Sequence, residues 1–206
     1  DIYSHQHLLF SIQKAMRLYF ATSFIALGFI SKLVSEVIHE VVGHGLFIAL
    51  FGGRLTSVHI SITWPYELSG VTFEPPLAGF DDLQLAIVYA SGIIACLLIS
   101  AMLQVLLLTR PHIISRWLLS SFLFWVGFWT FINAAGYLFI GGITPIGDIS
   151  QLINLGMFTK TASLCSGLLV FIVGFVALSR ILRDLLKREG IFSRSLWPIA
   201  IFWLII

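Results

Sequence analysis

The stretch 35–53, SEVIHEVVGHGLFIALFGG, places four ionisable side chains within nine residues of an otherwise apolar segment. They are Glu36, His39, Glu40 and His44. Ionisable groups at membrane depth cost about 2.5–3.5 kcal/mol each on insertion scales, so they face a protein interior or a cavity and need partners. The pattern is consistent with a buried hydrogen-bonded cluster that holds helices together, and also with a metal site.

The composition around this stretch is that of a membrane protein. Of the 206 residues, 58% are hydrophobic and 11% are charged, and the mean hydropathy is +0.99. Soluble domains are about 45–50% apolar and about 25% charged. The net charge of +2 is too small to argue for a nucleic-acid partner. We therefore predict a multi-pass integral membrane protein in contact with the lipid bilayer.

Long apolar runs divide the chain into predicted helices, since a bilayer-spanning helix needs roughly 20 apolar residues. The predicted segments, about six in number, cover 8–30, 33–50, 83–109, 117–142, 161–179 and 196–206. The fold class that follows is an all-α polytopic membrane protein organised as a single membrane domain over 1–206.

One segment between the second and third helices has a different period. In RLTSVHISITW, 54–64, the apolar residues Val58, Ile60, Ile62 and Trp64 alternate with polar ones, which is typical of a half-exposed strand. The stretch 65–70 suits a turn, and VTFE at 71–74 suits a returning strand. We predict a small β-hairpin at about 54–74. It must lie at the membrane surface or line a protein cavity, because an exposed backbone edge cannot face lipid.

The spacing of the two histidines leaves two geometries open. On a regular helix each residue turns by about 100°, so His39 and His44, five apart, would diverge by about 140°. A π-bulge accommodates one extra residue in a turn. A bulge at 41–43, eased by Gly43, would return both histidines to one face and set Glu40 beside a bound ion as a general base. Without a bulge, Glu36, Glu40 and His44 form a stripe spaced four and four, in which Glu40 would be a ligand.

A hydrolytic zinc site needs a third protein ligand and an open coordination position. Most of the remaining acidic residues lie at the terminus or in loops with charged neighbours. Asp148 differs, because it lies in GGITPIGDISQLI, 141–153, an uncharged turn rich in glycine and proline. Asp148 is therefore a candidate ligand or, equally, the N-cap of a short following helix.

The order of these features resembles the intramembrane site-2 protease family of zinc metalloproteases. The resemblance covers roughly 35–155 and rests on the following features in chain order: His39-Glu40 with Gly43-His44, FGGRLTSVHISI at 51–62, YASGIIACLL at 89–98, Asn133, Pro145 and Asp148. The chain departs from the family pattern in the histidine spacing, in the 89–98 motif and in the separation of Asn133 from Asp148. On this resemblance, 33–155 is a protease-like core, and 1–32 and 156–206 are accessory helices.

The resemblance implies a function and a role for each site residue. His39, His44 and Asp148 would bind Zn²⁺, Glu40 would act as the catalytic base, and Asn133 would help to bind the substrate. The hairpin, at 58–64, would offer an edge to which an unwound segment of a membrane-protein substrate could add as a strand. Two alternatives stay open: a catalytically inactive, protease-like membrane scaffold that binds a partner, and a polar cluster that conducts ions or protons.

Overall fold

A computed structural model describes residues 2–62, 69–110, 113, 115–188, 190 and 197–205. Four helical segments in this part of the chain are long and apolar enough to cross a membrane: Leu18–Leu50, Asp82–Thr109, Trp117–Ile143 and Lys160–Arg188. The chain is therefore a multi-pass integral membrane protein, as predicted. The sequence predicted about six transmembrane helices, and the described residues contain four segments long and apolar enough to be such helices.

The first two predicted helices are one continuous rod. Helix α1 spans Ile2–Val37, a π-helical segment follows at Ile38–Gly45, and α2 completes the rod at Leu46–Leu50. The sequence analysis placed a break near Ser31 and Lys32, and with it the boundary of an accessory first helix. That break was wrong. Both residues are buried inside the helix, where the Ser31 hydroxyl donates to the Phe122 carbonyl at 3.4 Å and Lys32 has an acidic partner.

The other helices pack around a central one. Helix α3 (Asp82–Thr109) begins with a capping box, in which the Asp81 carboxylate accepts from the Gln84 backbone N–H and the Gln84 side chain accepts from the Asp81 backbone N–H. Helices α4 (Trp117–Ile143), α5 (Gly147–Asn154), α6 (Lys160–Arg188) and α7 (Trp197–Ile205) follow. Helix α4 contributes the largest buried aromatic side chains, Phe124, Phe128 and Phe131, and contacts α1, α3 and α6.

The predicted hairpin is present. Strand β1 (Arg54–His59) pairs antiparallel with β2 (Gly70–Glu74), from Arg54 opposite Glu74 to His59 opposite Gly70, with a bulge between Leu55 and Ser57. The first strand ends earlier than its alternating pattern predicted, and Thr63, Trp64 and the predicted turn from Pro65 to Leu68 lie outside the described residues. Gly52, with a φ of 81°, makes the sharp turn from α2 into β1.

Candidate metal centre

The π-helical segment decides how the two histidines are arranged. The backbone N–H of Leu46 donates to the carbonyl of Val41, five residues earlier, which is the hydrogen-bond pattern of a π-helix. Residues five apart therefore lie one above the other, as residues four apart do on an α-helix. The rings of His39 and His44 come to 4.9 Å between centroids. Of the two geometries left open by the sequence, the bulge at 41–43 is the one present, as part of the longer π-helical segment Ile38–Gly45 that absorbs the extra residue of the motif.

Asp148 completes the group from a distant part of the chain. After α4 ends at Ile143, the chain turns back through Gly147, whose φ of 51° suits glycine, into the short helix α5. Asp148 Oδ2 then lies 3.0 Å from His39 Nε2 and 3.3 Å from His44 Nε2. Helix α5 has Ile146 as its N-cap residue and no capping side chain, so Asp148 faces the histidines and does not cap the helix.

The three side chains fit a zinc ion in donor type and in spacing. Their ligand atoms all lie within 4.8 Å of one another. Atoms bound tetrahedrally at about 2.0–2.1 Å from Zn²⁺ are about 3.3 Å apart, close to the two distances given above. His44 Nδ1 lies 2.6 Å from the Val88 carbonyl, a contact that places a proton on Nδ1, so Nε2, which faces Asp148, is the nitrogen that would bind a metal in place of its own proton. Among the described residues, His39, His44 and Asp148 therefore form a group that could hold a metal ion.

The electrostatics favour an ionised carboxylate in this group. Burial raises the pKa of Asp148, but the hydrogen bonds from His39 and His44 outweigh that effect and hold its pKa at about 2. A carboxylate that is ionised across the physiological range is the form that binds a divalent cation. Asp148 is therefore in its ligand form at neutral pH.

Glu40 lies beside the group without belonging to it. It is buried, with 2% of its surface exposed, yet its carboxylate has no hydrogen bond or ion pair within the described part of the chain. Glu36, one turn earlier, is instead paired with Lys32 at 3.3 Å. Glu36, Glu40 and His44 therefore do not form the alternative ligand group that a regular helix would have allowed.

A cavity of about 230 Å³, which we call the site cavity, opens onto the group. Its lining includes Glu40, His44, Asp148, Tyr89, Tyr137 and the β2 residues Gly70, Val71 and Phe73. The hairpin therefore faces the site through its second strand, whereas the sequence analysis expected the edge at 58–64. A second cavity of about 290 Å³, the neighbouring cavity, shares Ser69 and Tyr137 with the first.

Asn133 lies on the neighbouring cavity and not on the site cavity. Its amide nitrogen donates to Ser35 Oγ at 3.0 Å and lies 3.5 Å from Glu36 Oε1. These contacts join α4 to α1 and occupy the amide N–H groups. The structure thus brings His39, Glu40, His44 and Asp148 together and leaves Asn133 apart from them.

Three residues that the sequence analysis did not single out also contact the histidines. The ring of Tyr137 stacks on His39 with centroids 5.0 Å apart, and Cys96 Sγ lies 3.7 Å from His39 Nδ1. A Cβ on Gly92 would lie 2.7 Å from the Nε2 atoms of both histidines. Gly92 and Cys96 both lie in the motif YASGIIACLL at 89–98, whereas Tyr137 had no sequence signal.

Comparisons with models of known protein families, with curated proteins and with solved structures give no match. The chemistry of the group formed by His39, His44 and Asp148, with the Glu40 carboxylate beside it, is therefore the basis for inferring a function.

Proposed function

We propose that this chain is an intramembrane zinc metalloprotease that hydrolyses a peptide bond of a membrane-spanning substrate. One observation carries the proposal: Glu40, whose carboxylate has no hydrogen bond or ion pair among the described residues, lines the same cavity as His44 and Asp148 of the three-ligand group. The histidines lie within the apolar span Leu18–Leu50, so a substrate must reach them at membrane depth.

His39, His44 and Asp148 would hold the zinc ion as its three protein ligands. Bound zinc supplies a nucleophilic water at neutral pH and polarises the carbonyl of the scissile peptide. The chain's own contribution is to fix the donors. The Val88 carbonyl orients His44, and the stack of Tyr137 on His39 limits how far that ring can turn.

Glu40 has the position and the freedom of a general base. A base needs an unengaged oxygen within reach of the proton that it removes, and Glu40 has no competing partner among the described residues. On this mechanism a Glu40 oxygen takes a proton from the attacking water and passes it to the nitrogen of the leaving amine. The carbon–nitrogen bond then breaks, and Glu40 returns to its ionised form.

In this proposal the hairpin binds the substrate in an extended conformation. Peptide bonds inside a helix are inaccessible to an attacking water, so a transmembrane substrate must unwind at the cleavage point. Strand β2 is paired with β1 on one side, and its residues Gly70, Val71 and Phe73 line the site cavity. An unwound segment that adds to β2 as a further strand would pass the catalytic group with its backbone hydrogen bonds satisfied.

Metal content is the first test. The protein is purified in detergent without chelators, and metals are measured in the wild type, His44→Ala, Asp148→Ala and Glu40→Gln. We expect about one zinc ion per chain in the wild type and in Glu40→Gln, and its loss from the two ligand variants. His59→Ala, which removes a hairpin histidine, is the matched control and should keep the metal.

Cleavage is the second test. Proteoliposomes that contain a mixture of labelled transmembrane peptides are incubated with the wild type or with Glu40→Gln, and the products are identified by mass spectrometry. We expect the variant to cleave about 10²–10⁴-fold more slowly while it keeps its zinc. A wild type without metal would overturn the proposal and favour a partner-binding scaffold. Zinc binding without cleavage that depends on Glu40 would overturn the protease assignment alone.

A further inference from the structure

Tyr137 is held in a fixed position at the boundary between the two cavities. It lies on α4, one turn after Asn133, and its ring stacks on the His39 imidazole with an interplanar angle of 17°. On another side it packs against the first residue of α5, where a Cβ on Gly147 would lie 2.8 Å from Tyr137 Cε1. A side chain confined in this way presents its hydroxyl in one direction.

The hydroxyl of Tyr137 has no acceptor among the described residues. No hydrogen bond in the described part of the chain involves it, although the residue is half-buried and lines the site cavity. Nearby polar groups behave differently. Asn133 donates to Ser35, and His44 Nδ1 contacts the Val88 carbonyl. Buried tyrosine hydroxyls usually find a partner, so a free one beside a candidate catalytic group points to a ligand atom.

We propose that Tyr137 is a catalytic residue whose hydroxyl donates a hydrogen bond to the carbonyl oxygen of the scissile peptide. This inference rests on the proposed function. When water adds to the carbonyl carbon, the C=O double bond becomes a single bond and its oxygen gains the negative charge. A neutral donor already in place stabilises that charge, and Tyr137 keeps its proton throughout. The oxygen loses the charge when the carbon–nitrogen bond breaks and the double bond re-forms.

Two other residues are less suited to this role. The resemblance assigned substrate binding to Asn133, but its amide N–H groups are engaged with Ser35 and Glu36, and it lines the neighbouring cavity. Tyr89 also lines the site cavity from α3, yet its ring does not stack on either histidine in the described structure. Within the part of the chain that the structure describes, Tyr137 alone of the three combines a hydroxyl without an acceptor with a ring fixed against a candidate ligand.

The test compares Tyr137→Phe with the wild type, because this change removes the hydroxyl and keeps the stacking ring. Tyr19→Phe, an exposed position on α1 that packs against Trp117, is the control for the loss of a phenol. Zinc content and thermal unfolding are measured first. Turnover is then measured with a transmembrane peptide that the wild type cleaves, and the affinity for a phosphinic analogue of that peptide, whose tetrahedral oxygen imitates the charged carbonyl oxygen, is measured separately.

We expect Tyr137→Phe to keep its zinc and its unfolding temperature, to lose about 10²–10³-fold in kcat with little change in KM, and to bind the phosphinic peptide more weakly. Tyr19→Phe should match the wild type. A Tyr137→Phe variant with full kcat, or one whose loss follows a loss of zinc or stability, would overturn the inference. So would a loss seen in Tyr89→Phe and not in Tyr137→Phe. A wild type without zinc or cleavage would instead overturn the proposed function, and this inference with it.

Discussion

Gly43 of the π-helical segment and Gly92 of α3 meet backbone to backbone. A Cβ on Gly43 would lie 2.5 Å from the Gly92 Cα and 3.0 Å from the Ser91 carbonyl oxygen, both of them backbone atoms with little room to move. This contact brings α3 close to both histidines. Between Gly92 and the two imidazole rings there is no space even for a methyl group. The contact between the π-helical segment and α3 therefore also forms one side of the candidate metal site.

Gly92→Ala should weaken zinc binding more than it weakens the fold. Its Cβ would lie 2.7 Å from Nε2 of His39 and of His44, so the two rings must move away from the positions in which they face Asp148. We expect zinc affinity, measured by competition with a chromophoric chelator, to fall at least about 10–100-fold.

Gly127→Ala is the matched control for that substitution. Gly127 is a buried glycine at the contact of α4 with α3, where an added Cβ would make an ordinary contact of 3.4 Å with Leu103. This variant should bind zinc as the wild type does. Unchanged zinc affinity in Gly92→Ala would contradict the geometry described here.

Lys32→Met should destabilise the protein strongly. Lys32 donates to Glu36 at 3.3 Å and to the Ser61 carbonyl at 2.8 Å, and both charged residues are 8% exposed. Removal of the cation leaves Glu36 buried and unpaired, which costs about 3–5 kcal/mol. The double variant Lys32→Met with Glu36→Leu should recover most of that loss, and a double-mutant cycle of unfolding free energies measures the coupling.

Arg183→Met provides the control for the loss of a cation from an ion pair. Arg183 lies 3.4 Å from Asp184, but both side chains are more than 40% exposed. Its removal should change the unfolding free energy by less than about 1 kcal/mol, since exposed pairs contribute little. Equal losses in Lys32→Met and Arg183→Met would show that burial of the Lys32 pair is not what matters.

Local patterns were enough to predict the centre of the site. The histidine spacing, taken with the fixed turn of a helix, predicted a π-bulge that the structure contains. The absence of charge around Asp148 singled it out among the acidic residues, and the structure sets it against both histidines, 109 residues from the first of them in sequence. The hairpin followed from period-two alternation, with its first strand displaced toward the N-terminus.

The errors and omissions have a common physical cause. Ser31 and Lys32 resemble a loop in sequence, but their partners Phe122 and Ser61 come from distant segments and keep the helix unbroken. A tyrosine in an apolar helix has no local signal of contact with a histidine, so the sequence does not reveal that Tyr137 stacks on His39. Such contacts depend on how helices cross, and short-range periodicity does not determine that.

Ser121→Ala should be neutral or stabilising, which is unusual for a change at a buried site. The Ser121 hydroxyl is buried and has no hydrogen-bond partner among the described residues. An unsatisfied buried hydroxyl is costly, so its removal should raise the unfolding free energy by about 1 kcal/mol. Ser100 is the matched control, because its hydroxyl donates to the Gly127 carbonyl and accepts from Gln104. Ser100→Ala should lower the unfolding free energy by about 1–2 kcal/mol, and a larger loss in Ser121→Ala would contradict this ranking.

Cys96 should set the metal affinity of His39 through the ring nitrogen that faces away from the ion. Its Sγ lies 3.7 Å from His39 Nδ1, and the residue is fully buried. For Nε2 to bind a metal, Nδ1 must carry the proton and donate it, so the sulfur has to act as the acceptor. Cys96→Val removes the acceptor and keeps an apolar side chain of similar size, and we expect zinc affinity to fall about 10-fold or more. Cys96→Ser restores an acceptor and should recover part of that loss, while Cys165→Val, at an exposed position on α6, should have no effect. Chelator competition measures all three, and equal affinities for zinc in Cys96→Val and the wild type would mean that the sulfur only fills space.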